Sequence, residues 1–172
     1  MLNANQAFRT VCLIAVIALS AAAAAQPVTQ VPDDFKIVLS ASPRAPGEPF
    51  GGQTVEITAD GAVWLSAVQT PDGELSELRL EIQPAAVERI WNAVVTHEFF
   101  TLAAEYRDPD VMDGDFAALT VWADGRKHQV KTVNIRVFDF DLITVAVNAE
   151  LPKDRVVVYN ALFIPNYKEI QR

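Results

Sequence analysis

Cysteine is almost absent from this chain. Its 172 residues contain one, Cys12, inside an apolar N-terminal run. A single cysteine excludes a disulfide scaffold. If Cys12 leaves with a cleaved leader, a thiol nucleophile and a cysteine metal site go with it. Histidine is nearly as scarce: His97 and His128 are the only two, and they lack the spacing of two ligands one turn apart on a helix. No G-x-S-x-G elbow, phosphate loop or dinucleotide fingerprint occurs. Positive charge is also short, with 14 Lys and Arg against 22 Asp and Glu and no basic cluster. That balance argues against nucleic acid and anionic lipid as partners. No catalytic residue, metal or cofactor is expected.

What is present begins with an address. Residues 1–25 have the pattern of a secretory signal peptide, with Arg9 as the charged region. Val11 to Ala25 is apolar except for Ser20, and Ala23-Ala24-Ala25 is a small-residue cleavage site. The run is too short to favour a transmembrane anchor, and Cys12 opens it where a lipidation cysteine would close it. Cleavage would leave Gln26–Arg172, 147 residues with a net charge of −9, periplasmic or secreted and without a membrane anchor. That is one domain's worth of chain, large enough to bury a core without disulfides. Residues 26–34 form a proline-containing leader expected to be poorly ordered, 35–160 the domain and 161–172 a polar tail.

Phe35, Ile37, Leu39 and Ala41 alternate, which predicts a first strand. Ser42–Gly52 holds three prolines and three glycines in eleven residues and must be a long loop. Gln53–Gln69 reads as a hairpin around Ala59-Asp60-Gly61. Only a three-residue turn with Gly61 left-handed pairs Ile57 with Val63 and Val55 with Leu65, keeping the aliphatic residues on one face. Leu78, Leu80 and Ile82 predict a further strand. A helix over Pro84–Glu98 follows, with Val87, Ile90, Trp91, Val94 and Val95 as its buried stripe. Phe99, Phe100 and Leu102 should wedge under its end. Tyr106–Asp115 reads as an acidic loop, and Phe116–Val133 as a second hairpin with a two-residue Asp124-Gly125 turn. Phe138–Leu151 admits a strand or a helix. A helix from about Asp139 is preferred, with Leu142, Val145, Ala146 and Ala149 inward. Arg155–Tyr159 reads as a short strand.

Few residues invite chemistry. Asp108, Asp110, Asp113 and Asp115 are clustered, but Met112 falls where a calcium ligand is needed and Leu119 where the closing glutamate belongs. A solvated loop is the better reading. His97 suits the negative end of a helix. Glu98, Glu105 and Asp113 supply carboxylates with no feature that tunes them for proton transfer. The tryptophans say more. Trp91 belongs to the helix stripe, whereas Trp64 and Trp122 fall in the opposite phase from the core. If the helices cover one face of the sheet, these two indoles stand on the other as a binding platform, unless the Ser42–Gly52 loop or a helix covers them.

Two resemblances attach to these stretches. The segment from Val55-Glu56-Ile57-Thr58-Ala59-Asp60-Gly61 through Phe99-Phe100-Thr101-Leu102 and Tyr106 to Asp113-Gly114 resembles a family of exported bacterial domains of unknown function. That family often carries two cysteines between its first two strands, where Ser42–Phe50 has none. The helix, Phe99-Phe100-Thr101-Leu102, Asp115-Phe116 and Arg126-Lys127-His128-Gln129-Val130 are similar to emfourin-type inhibitors of thermolysin-like metallopeptidases. The second resemblance implies inhibition through a protruding loop.

The expectation is an α+β domain: an antiparallel sheet of five to seven strands with one long amphipathic helix, and a second helix, packed on one face. The favoured function is an exported, non-enzymatic binding domain whose partner is a protein or a cell-envelope ligand. Its expected contact residues are Trp64 and Trp122 on the sheet and Arg44, Glu48 and Phe50 on the loop. Metallopeptidase inhibition is the alternative, and a hydrolase the third reading.

Overall fold

The structure is a computed structural model that describes residues 30–42, 52–69, 74–110, 116–153, 157 and 169–170. It is a mixed α+β fold, with two helices and one open sheet of seven strands ordered β4-β3-β2-β1-β6-β7-β5. The strands are β1 (Lys36–Ser42), β2 (Gln53–Thr58), β3 (Ala62–Gln69), β4 (Glu74–Glu81), β5 (Glu105–Arg107), β6 (Phe116–Ala123) and β7 (Arg126–Val133). The helices are α1 (Pro84–Thr96) and α2 (Phe138–Ala149). A separate parallel pair joins β8 (Arg136–Val137) to β9 (Glu169–Ile170), so two residues near the C-terminus pair with the fold.

β1 is central. Its Ile37 pairs with Ile57 on one side and Val121 on the other, and its Leu39 with Val55 and Leu119. Phe35, Ile37, Leu39 and Ala41 are all buried, as their alternation predicts. The β2–β3 hairpin has the longer turn, with Gly61 at φ +84° and Ile57 opposite Val63. The β6–β7 hairpin has the shorter one, with Asp124 and Gly125 both at positive φ and Val121 opposite His128.

The sheet departs from the all-antiparallel expectation at one edge. Glu105–Arg107, whose last two residues open the stretch read as the acidic loop, is strand β5 and runs parallel to β7. The chain reverses between β5 and β6 and again between β6 and β7, so β5 and β7 must share a direction. Tyr106 packs against the core from this strand, and its hydroxyl accepts the Ala103 N–H at 3.0 Å.

Both helices contribute to the same core as the Ile37–Leu39 face of the sheet. α1 buries Ala86, Val87, Ile90, Trp91 and Val94. It stops at Thr96, short of the expected Glu98, because Glu98 turns left-handed (φ 45°) into a single 3₁₀ turn at Phe99–Thr101. Phe99 and Leu102 are fully packed there, whereas Val95, placed on the stripe by its spacing, is 39 % exposed at the stripe's margin. The preferred helix over the Phe138 region is present, but rotated from the expected stripe. Phe140, Asp141, Ile143, Thr144 and Val147 face inward, and Val145 is 52 % exposed. Arg136 Nε donates to Asp141 Oδ2 at 3.0 Å, which lets that carboxylate lie inside.

The helices are antiparallel, and α2 is tied to α1 at both of its own ends. Arg89 meets Glu150 through two hydrogen bonds of 2.7 and 2.8 Å, and His97 Nδ1 lies 3.0 Å from Asp139 Oδ1. The expected strand Arg155–Tyr159 is described only at Val157, whose backbone bonds the Asn148 side chain.

Candidate functional site

Alternate residues of each strand leave the core, and the registers set them in rows across six strands. One row runs Glu81, Ala62, Thr58, Lys36, Trp122, Lys127 from β4 to β7. The next runs Arg79, Trp64, Glu56, Val38, Thr120, Gln129, and a third Glu77, Ser66, Thr54, Ser40, Ala118, Lys131. The helices pack on the opposite side, so among the described residues neither helix covers this face, although Thr120 and Ala118 near its centre are themselves buried.

Trp64 and Trp122 therefore stand on one face, but not side by side. Three strand spacings, roughly 14 Å, separate β3 from β6. Trp64 is 41 % exposed, with Glu56 and Arg79 as its cross-strand neighbours. Trp122 is half-buried, because Lys36 and Lys127 lie over its ring, their ammonium nitrogens 4.3 and 5.0 Å from the centroid. The negative face of the indole attracts both cations. Lys36 also reaches Glu56 at 3.9 Å. Arg44, Glu48 and Phe50 lie outside the described residues.

Two depressions open beside these indoles and meet at Thr58. One, of about 440 Å³, is lined by Trp64, Glu56, Arg79 and Glu81. The other, of about 730 Å³, is lined by Trp122, Lys36, Asp33, Asp34 and Asp60. Two of its carboxylates already accept hydrogen bonds. Asp34 accepts the Gly125 and Asp124 N–H groups at 2.7 and 2.8 Å, which together hold its pKa below the ordinary value. Asp60 accepts the Thr58 hydroxyl at 2.6 Å and the Ala62 N–H at 3.2 Å, with the same effect. Carboxylates held in this way are acceptors at neutral pH and poor proton donors. The surface suits recognition: two aromatic faces, flanked by both signs of charge.

The histidines serve packing. His128 Nε2 lies 2.9 Å from the Leu102 carbonyl oxygen, and its ring meets the edge of Phe99 at 5.4 Å between centroids. His97 belongs to the helix clamp with Asp139. Among the described residues, no group of three His, Cys, Asp or Glu side chains is placed to hold a metal ion. Asp113 and Asp115 lie outside those residues, and Asp108 accepts the Asp110 N–H at 3.1 Å.

Sequence reasoning placed Glu56 on the face of Trp64 and Lys127 on that of Trp122, but did not bring Lys36, Arg79 and Glu81 to the site. Lys36, Glu56, Arg79, Glu81 and Lys127 all fall in the same off-core phase of strands whose registers are readable. Alternation alone was enough to find them. Asp34 carries no such signal, since its contact spans ninety-one positions. No family model matches this chain, and no curated protein matches it.

Proposed function

We propose that this chain is an exported, non-enzymatic binding domain whose working surface is the open face of the sheet, with Trp64 and Trp122 as anchors. The observation that carries this reading is the exposure of Trp64 on a face that both helices leave uncovered. A large aromatic side chain left 41 % exposed offers apolar area that a partner can remove from water. Export rests on the pattern of residues 1–25, and a periplasmic or secreted location follows from it. The partner class is a protein or a cell-envelope component, and no cofactor enters.

The metallopeptidase-inhibitor reading would place contact on the Ser42–Gly52 loop instead of the sheet. One experiment separates the two. The wild-type protein, a Trp64→Ala/Trp122→Ala variant and a variant with residues 44–50 replaced by a short glycine linker are used as baits against the cell-envelope and culture fractions of the producing cell. Retention by the loop variant with loss in the tryptophan variant supports the open face. The reverse pattern, with inhibition of a thermolysin-like enzyme lost in the loop variant, would transfer function to the loop.

A further inference from the structure

We propose that the open face takes a second copy of this chain, packed face to face so that the basic half of one sheet covers the acidic half of the other. This rests on the reading of the open face as the binding surface and names the occupant of that surface.

The open face is divided electrically between β1 and β2. On β1, β6 and β7 its described residues include Lys36, Lys127 and Lys131 and no acid, while the edge strand β5 adds Glu105 beside Lys131 together with Arg107, an acid and a base already joined to each other at 3.1 Å. On β2, β3 and β4 they include Glu56, Glu77 and Glu81, with Arg79 the one base. In a chain with 22 acids against 14 bases, three lysines on adjacent strands without an acid mark a segregation of charge. A surface that is basic on one half and acidic on the other is complementary to itself under a two-fold rotation.

The registers say which contacts such a rotation makes. A two-fold axis parallel to the strands, above the β1–β2 boundary, exchanges β1 with β2, β6 with β3 and β7 with β4. Lys127 then faces Glu81 of the second copy, and Lys131 faces its Glu77, each contact occurring twice. Bulk meets space in the same arrangement. Trp122 comes over the exposed Ala62, a large side chain against a small one, and Trp64 comes over Thr120, which its own neighbours already bury. The poorest juxtaposition, Val38 over Glu56, lies beside Lys36, which already holds Glu56 within one copy at 3.9 Å. Sheets packed face to face keep their strands within about 30° of each other, a rotation that long Lys and Glu side chains accommodate at the margins.

The size is adequate. Six strands at about 4.8 Å and three same-face rows at about 6.8 Å give a patch of roughly 600 Å² per copy, or roughly 1,200 Å² in total. That is the lower end of specific protein interfaces, so the dimer should form reversibly with concentration and weaken with salt.

Analytical ultracentrifugation of the purified protein tests this. The wild type should pass from monomer to dimer as its concentration rises towards about 1 mM, where an interface of micromolar strength is saturated. Lys127→Glu/Lys131→Glu and Glu77→Lys/Glu81→Lys should each remain monomeric over that range, with unchanged circular dichroism. An equimolar mixture of the two variants should dimerise again, and so should a chain carrying all four changes. The mixture also controls for misfolding, since damaged chains would not regain a partner by being combined. A wild type that stays monomeric throughout overturns the proposal. So does a dimer that survives both charge reversals. If the wild type is monomeric yet Trp64→Ala/Trp122→Ala loses an envelope ligand, self-association fails and the open-face reading stands. A dimer indifferent to the charge and tryptophan changes, with ligand capture also indifferent, ends both.

Discussion

Asp34 and Gly125 are ninety-one positions apart in the chain and 2.7 Å apart in the fold, carboxylate to backbone N–H. The other oxygen of Asp34 accepts the Asp124 N–H at 2.8 Å, so one side chain holds both left-handed residues of the β6–β7 turn. These N–H donors, Gly125 first, hold the Asp34 pKa below its ordinary value. A carboxyl whose pKa is lower in the folded state stabilises fully above its unfolded pKa, and that contribution is lost as pH falls through the folded value. Asp34→Ala should therefore lower the urea midpoint near pH 7, and the gap from wild type should close as pH drops below about 3.9. Urea titrations of both proteins at about pH 7 and about pH 2.5 check it. A gap of equal size at both would mean that the charge of Asp34 is not what holds the turn.

The two hairpin glycines should differ in tolerance although both have positive φ. At Gly61 (φ +84°) an added Cβ would stand 2.4 Å from the Ile82 carbonyl oxygen. The backbone cannot move away freely, because the Gly61 carbonyl accepts the Ile82 N–H at 2.9 Å. At Gly125 (φ +69°) nothing lies within 4 Å of the added carbon. Gly125→Ala should cost only the left-handed conformation, about 1–2 kcal/mol. Gly61→Ala adds a backbone clash and should cost about 3 kcal/mol or more. Chemical denaturation of the two variants gives the comparison, and equal losses would remove the close approach to Ile82 as a cause.

The three tryptophans provide a second contrast. Trp91 is 5 % exposed and meets Phe35 edge-on at 5.4 Å between centroids. Trp91→Ala should cost about 3–5 kcal/mol through the cavity it leaves. Trp64→Ala, on the open face, should cost less than about 1 kcal/mol. Acrylamide quenching of tryptophan emission should fall most in Trp64→Phe. A severe stability loss in Trp64→Ala would instead mark that indole as part of the packing.

The sheet was legible for a definite reason. Ile57, Val55, Val63 and Leu65 share a face under one turn length only, so the first hairpin's register follows from its buried side. The same logic placed Leu119 opposite Val130 and left Trp64 and Trp122 in the opposite phase. α2 was legible as a helix but not in rotation, because apolar residues surround it and periodicity cannot choose a face. Its inward side includes Asp141 and Thr144, two polar residues that an apolar stripe excludes by construction. β5 was hidden because three residues, two of them charged, carry too little alternation to announce a strand. On the site, alternation found which residues are wet, while the Asp34 clamp depended on tertiary approach that no local pattern encodes.

Thr144 is the exception to polar satisfaction within α2. It is fully buried, and its hydroxyl has no hydrogen-bond partner among the described residues. A buried hydroxyl without a partner costs about 1–3 kcal/mol in lost hydration. Thr144→Val keeps the branched shape and removes the oxygen, so it should raise the melting temperature. A gain worth about 1 kcal/mol is expected. A destabilised Thr144→Val would show that the hydroxyl has a partner after all.

Asn148 acts as a strand neighbour to Val157. Its Nδ2 donates to the Val157 carbonyl at 2.8 Å, and its Oδ1 accepts the Val157 N–H at 2.9 Å. Val157 is 1 % exposed, so water cannot replace either bond while this residue stays packed. Asn148→Ala should strand a backbone donor and acceptor together and cost about 1–3 kcal/mol. Asn148→Asp separates hydrogen bonding from shape. The carboxylate still accepts the N–H, but it sets negative charge against the carbonyl oxygen, so the loss should be at least as large as in the alanine variant. Hydrogen exchange locates the effect. The Val157 amide should lose protection in both variants, while amides in the centre of β1 keep theirs. If Val157 stays protected in Asn148→Ala, the burial of its own side chain holds it in place, and the asparagine only follows.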